Sequence, residues 1–306
     1  MSFPRITDEE ILARLAPPAG RVRMVLDTDT YNEVDDQFAL VYALSSPERL
    51  AVEAVYAAPF HNEKSTGPAD GMERSYREIV RLLGKMDRPH QGFVYRGSDR
   101  YLPGAETPVE SEAARDLVRR AMAGPADQPL YVAAIGAITN VASALLMRPE
   151  IVRRIVVVWL GGHPLHWEHT REFNLAQDVP AARVVLDSGV PLVLVPCLGV
   201  ASHLLTSLPE LEAHLAGRSA VCDALVELYR AYAADHFGFA KEIWDLAAVA
   251  YLVNPGWVPT VLAPSPVLTD QVTWSEDRRR HLIRVATFVR RNEIFKDLFR
   301  KLLGAG

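Results

Sequence analysis

Cysteine is scarce: Cys197 and Cys222 are the only two in 306 residues, and neither belongs to a C-x-x-C pair or sits beside clustered histidines. That excludes a disulfide framework and a zinc centre of the usual ligand spacing. Positive charge is not in excess either. Lys and Arg number 33 against 38 Asp and Glu, a net charge of −5, and the basic residues are scattered. A nucleic-acid partner requires a basic face, so none is expected. Apolar runs are short: 191–201 falls well below the roughly 20 residues that span a bilayer. The N-terminus has no basic segment followed by an apolar one. No membrane partner is expected, and the expected location is cytoplasmic. Gly/Ser-rich linkers, internal repeats and low-complexity segments are missing, while 49% of the residues are hydrophobic. The expectation is one domain over 1–306 with a sizeable core, acting on small molecules.

What is present is an alternation of short apolar runs with amphipathic stretches. Strands are expected at 22–26, 50–57, near Val94, at 130–135, 155–160 and 191–196. Helices are expected at 7–15, 37–44, 72–83, 110–123, 139–146 and 180–188. Strand followed by helix, repeated, implies an open, largely parallel, doubly wound α/β sheet of Rossmann-like type with right-handed crossovers. From 208 the character turns helical, at 208–215, 219–237 and 244–253, which reads as a helical cap. Strands near 266–273 and 281–289 read as antiparallel additions, and 292–303 closes as a helix.

The first strand ends in RVRMVLDTDTYNEVDDQF, where Asp27, Asp29, Asp35 and Asp36 flank one strand-to-helix turn. Such turns lie at the carboxyl ends of the strands, where open α/β sheets bind ligands. Helix capping accounts for Asp35 and Asp36 but not for two acidic pairs straddling one turn. Four carboxylates brought together require a compensating cation, and with no Cys or His in the stretch the fitting ions are hard: Ca²⁺ or Mg²⁺. A metal lowers the pKa of a water it holds and a neighbouring carboxylate takes the proton; Asp29 is the residue expected to act as that base.

The stretch resembles the N-terminal fingerprint of the nucleoside hydrolases, calcium-dependent N-ribohydrolases with the pattern DxDPGxDD after a first strand. Asp27, Asp29, Asp35 and Asp36 match the acidic positions, whereas TYNEV replaces the three-residue PGx. VAAIGAITNVA at 132–142 is similar to the family's GxxTN segment, EIWDLAAVAY at 242–251 to its late helix start, and Asn62 and EFN at 172–174 to its ribose-holding positions. The matches follow the family's order through most of the chain. The resemblance implies hydrolysis of the N-glycosidic bond of ribonucleosides, with Ca²⁺ held by Asp29, Asp36, Asp245 and the Ile135 carbonyl. It also implies Asp35 on the 2′-hydroxyl, Asn62, Glu172 and Asn174 on the ribose, and a homo-oligomer.

One departure concerns the leaving group. Several members carry a proton-donating His just before the last aspartate; here Trp244 stands there and is expected to stack on the base. His166 or His163 is the expected histidine contact with the base, ahead of His236, while His61, beside Asn62, and His169 could also donate a proton. Two other readings remain open. VLDTDT also looks like the nucleophile loop of haloacid-dehalogenase-like phosphatases, with Asp27 attacking phosphate, although Tyr31 and the scattered lysines do not suit that family. The altered loop and Trp244 also suit a catalytically silent metal- and nucleoside-binding protein.

Overall fold

In the computed structural model, which describes residues 3–304, the apolar run after Arg21 becomes β1 (Val22–Thr28). The first two and last two residues of the expected 1–306 domain lie outside the described residues. β1 is buried nearly end to end, as befits a parallel strand covered on both faces. It is followed by β2 (Leu50–Ala57), β3 (Val94–Arg96), β4 (Leu130–Ala134), β5 (Ile155–Leu160) and β6 (Leu192–Val195). Short pieces come next: β7 (Leu205–Thr206), β8 (Lys241–Glu242), β9 (Thr260–Pro264), β10 (Val267–Leu268), β11 (Trp274–Ser275) and β12 (Leu282–Ala286). The main sheet has eight strands in the order β3-β2-β1-β4-β5-β6-β12-β9, all parallel but β9.

β1 has β2 on one side and β4 on the other, so the winding reverses between β1 and β4. At such a switch point the loops beyond the two strand ends diverge and leave a crevice. The acidic turn lies beyond β1 and Ile135 directly beyond β4. Topology therefore puts both at one crevice.

The helices are α1 (Asp8–Arg14), α2 (Asp35–Leu44), α3 (Pro68–Lys85), α4 (Glu112–Ala123), α5 (Thr139–Met147), α6 (Phe173–Gln177) and α7 (Val179–Asp187), then α8 (Leu208–Leu215), α9 (Ala220–Tyr232), α10 (Leu246–Val253) and α11 (Arg291–Leu302). Every residue of α2 and of α10 is buried, and the two pack against each other. A helix apolar all round belongs inside a core. Phe38 on α2 is fully buried, so Phe38→Ala should cost about 3–5 kcal/mol, read as a lower midpoint in urea with an unchanged slope.

Several expected elements shift. The strand expected at 281–289 is not an antiparallel addition at its inner edge: β12 runs parallel to β6, Arg284 opposite Val193. The antiparallel member is β9, whose Pro264 is tolerated because it ends an edge strand. Of 266–273 only Val267 and Leu268 are strand, paired with β11 across a tight turn. The helix expected to 237 stops at Tyr232, where Ala233 turns extended and the His236 ring returns to the Arg230 carbonyl, 2.9 Å from Nε2. α3 begins at Pro68, earlier than periodicity suggests, because proline fits the first helical position, where no N–H partner is needed.

Candidate active site

The capping explanation of the aspartates fails on geometry. Val34 and Asp245 occupy the N-cap positions of α2 and α10, and neither helix has a side-chain cap. Instead the two buried helix starts bring Asp35, Asp36 and Asp245 together, with one carboxylate oxygen of each within 4.8 Å of the others. Helix N-termini carry partial positive charge, which favours carboxylates there.

Asp29, on the loop between β1 and α2, borders this group. Both its oxygens are buried and have no hydrogen-bond partner among the described residues. A Cβ built on Gly136 would lie 3.1 Å from the Asp29 carboxylate carbon, so the glycine after Ile135 lets the two strand ends close on each other. Burial, followed by the charges of Asp36 and Asp35, raises the Asp29 pKa well above the usual carboxylate range. Burial and Asp35 push Asp36 up to about 8, although Thr28 donates its hydroxyl to Asp36 Oδ1 at 2.5 Å. Asp35 is held at about 6, burial and Glu33 raising it and Lys241 opposing them. Asp245 is raised by burial, then by Asp35, Asp36 and Asp29. A buried set of oxygens with no nitrogen or sulfur among it, repelling one another and with two oxygens unsatisfied, fits a hard divalent cation.

Asp27 stands apart. It is fully buried, Asn140 Nδ2 donates to its Oδ1 at 2.7 Å, and it does not line the cavity. Asn140 in turn accepts from the Ser98 amide at 2.8 Å, so Asp27 ties β1 to α5 and to the chain after β3. This placement removes the phosphatase reading, which needs Asp27 exposed to substrate.

The carboxylates open into a cavity of about 790 Å³. Its lining includes Asp29, Asp35, Asp36, Asn62, Ile135, Glu172, Asn174, Trp244 and Asp245. Of the expected site residues only His166 is missing. It is exposed, and His163 lines the cavity in its place. The cause is the turn at Gly162, whose φ of +68° suits glycine and keeps His163 and Pro164 buried before 166–168 run out over the surface. His163 is pinned there: its amide donates to Thr170 Oγ1 at 2.9 Å and its carbonyl accepts from Trp274 Nε1 at 2.9 Å. Its Nδ1 is buried with no hydrogen-bond partner among the described residues, and burial and His169 lower its pKa. His61 is exposed and His236 faces α9; neither lines the cavity.

Two expected ribose residues also serve as braces. Glu172 accepts from the backbone amides of Gly162, Asn174 and Leu175 at 2.8, 2.8 and 3.0 Å, capping α6 and fixing the Gly162 turn. Asn62 Nδ2 donates to Asn32 Oδ1 at 2.7 Å. Asn32 belongs to the lengthened TYNEV loop, and its carbonyl accepts from Lys64 Nζ at 2.8 Å. Glu33, next in that loop, pairs with buried Lys241, Nζ to Oε2 at 2.7 Å. Burial works against the Lys241 ammonium, but Asp35 and Glu33 outweigh it and raise its pKa. Asn32, Glu33, Lys64 and Tyr232, all lining the cavity, were not among the expected site residues, nor was Lys241. The two extra loop residues were the available signal, since an insertion beside a ligand site must find partners.

The inosine-uridine preferring nucleoside hydrolase family matches residues 24–296 of the chain. The pyrimidine-specific ribonucleoside hydrolase RihA of Enterobacter sp. (strain 638) is 28% identical over 262 residues, covering 78% of this chain and 81% of that protein. The fold is shared with the plant nucleoside hydrolase PpNRh1, at a TM-score of 0.73 and 18% identity over 92% of this chain and 99% of that one. It is shared too with a purine-preferring ribonucleoside hydrolase from Gardnerella vaginalis, at 0.70 and 22% identity over 92% and 98%. No helix among the described residues is long and apolar enough to cross a membrane. The family match makes this chain a hydrolase of N-glycosidic bonds, in a family that uses a metal ion. The chain belongs to the inosine-uridine preferring nucleoside hydrolase family.

Proposed function

We propose that this protein hydrolyses the N-glycosidic bond of ribonucleosides, releasing base and ribose, with Ca²⁺ held by Asp29, Asp36, Asp245 and the Ile135 carbonyl. The observation that carries the reading is the buried carboxylate cluster at the β1/β4 switch point, opening into one cavity with Asn62, Glu172 and Asn174. Asp35 joins that cluster and is the carboxylate assigned to the 2′-hydroxyl. When bound, the cation supplies Lewis-acid activation of water. Asp29, with two unsatisfied oxygens, takes the proton from the attacking water. Its neighbours place negative charge beside the sugar as it becomes oxocarbenium-like, an interaction stronger in the transition state than in the ground state. One domain, a cytoplasmic location and a homo-oligomer belong to the same reading. The test is release of free base and ribose from a nucleoside panel, with chelator and with added Ca²⁺. Binding without turnover would instead favour the silent binding protein.

Trp244 supplies an aromatic wall rather than an acid, because an indole N–H does not ionise near neutral pH. It is partly buried, packs on the core and lines the cavity. Trp244→Ala should weaken binding of inosine and uridine by about 1–3 kcal/mol while ribose affinity and metal content hold. Equal weakening toward all three ligands would show a packing residue instead.

A further inference from the structure

Three cavity-lining residues meet at one buried ammonium. Lys241 Nζ lies 2.7 Å from Glu33 Oε2 and 5.4 Å from the ring centroids of both Tyr232 and Trp244. Glu33 lies two residues before Asp35 and Trp244 next to Asp245, and with Tyr232, at the end of α9, they line the same cavity as these carboxylates. A nucleoside whose ribose is held at Asp35 would have this wall of two aromatic rings and one carboxylate beside its base.

Resting on the nucleoside reading above, we propose that Glu33 reads the exocyclic amino group of the base and that Lys241 is its positioning residue. The preferred substrates are then 4-aminopyrimidine and 6-aminopurine nucleosides over their oxo counterparts. Lys241 Nζ holds Oε2 by charge at 2.7 Å, and that buried oxygen has no hydrogen-bond partner among the described residues, while Glu33 lines the cavity. An ionised carboxylate only accepts, so an amino group can donate to it, as cytosine N4 does to Glu or Asp, whereas a carbonyl at the same position is repelled. Glu33 lies in the lengthened loop, so this selectivity comes from the part of the site where the chain departs from DxDPGxDD.

The experiment compares cytidine with uridine and adenosine with inosine, by kcat/KM and by calorimetric affinity, in the full-length Ca²⁺-loaded protein. The wild type should favour the amino member of each pair. Glu33→Gln, nearly isosteric and able to donate to a carbonyl, should lower the amino-to-oxo ratio by about tenfold or more, the size of one charge-assisted hydrogen bond. Lys241→Met should lower it similarly and Lys241→Arg should retain it, a pattern that loss of packing alone does not produce. An unchanged ratio in Glu33→Gln with normal metal content, or no amino preference in the wild type, overturns the proposal. If no nucleoside is cleaved, the hydrolase reading falls, while the affinity ratios still decide the role of Glu33.

Discussion

Replacing Asp29 by asparagine lowers nucleoside turnover by about 10²- to 10⁴-fold, the range over which a positioned general base acts. The amide keeps the shape of the carboxylate but cannot take a proton from water. Asp29 has no hydrogen-bond partner to lose among the described residues, and burial followed by Asp36 and Asp35 disfavours its charge. The same substitution should therefore raise the melting temperature of the metal-free protein near neutral pH, since the cost of burying that carboxylate, as a repelled charge or by taking up a proton on folding, disappears. Lower activity with higher stability marks a residue retained for function. Asp27→Asn gives the contrast: Asp27 braces β1 through Asn140, so its replacement should act on stability before rate. Near-normal turnover in Asp29→Asn, with cation bound, would place the base elsewhere.

How much of this was legible in the sequence follows from how local each determinant is. The fully buried parallel strands read clearly, because burial on both faces writes a continuous apolar run. Asp29, Asp35, Asp36 and Asp245 were legible from residue type and order, although no spacing rule brings Asp245 beside Asp36; the packing of α10 on α2 does. His163 and His166 were both legible as candidates, but the choice of His163 was not, since it turns on one positive φ at Gly162 and on Thr170 and Trp274 gripping the next residue. Nor was Lys241. A lysine in a short loop reads as surface, and only the fold shows its ammonium enclosed by Glu33, Tyr232 and Trp244. β9 escaped because its bounding prolines resemble loop chemistry, which an edge strand accommodates.

Removing the divalent cation should abolish turnover and leave a protein whose stability falls as pH rises. Without the ion, Asp35 is held at about 6, Asp36 at about 8, and Asp29 and Asp245 are raised, against roughly 4 in an unfolded chain. The folded state then binds more protons than the unfolded state between those limits, so stability decreases with pH. It is fully present below about pH 4 and is lost progressively as pH climbs through 6 toward 8. Cation binding displaces those protons and reverses the trend. Saturation at a hundredfold excess over Kd adds about 2.7 kcal/mol. For 306 residues the melting entropy is about 0.6 kcal/mol/K, so the melting temperature should rise by about 4 °C. Thermal scans from pH 5 to 8, with chelator and with Ca²⁺, provide the measurement, paired with elemental analysis of the purified protein. A chelated protein that gains stability from pH 5 to 8 would contradict a repelling carboxylate cluster. Stoichiometric zinc on nitrogen ligands would contradict the oxygen-donor site, because the group that could hold an ion where α2 and α10 begin, among the described residues, is Asp35, Asp36 and Asp245.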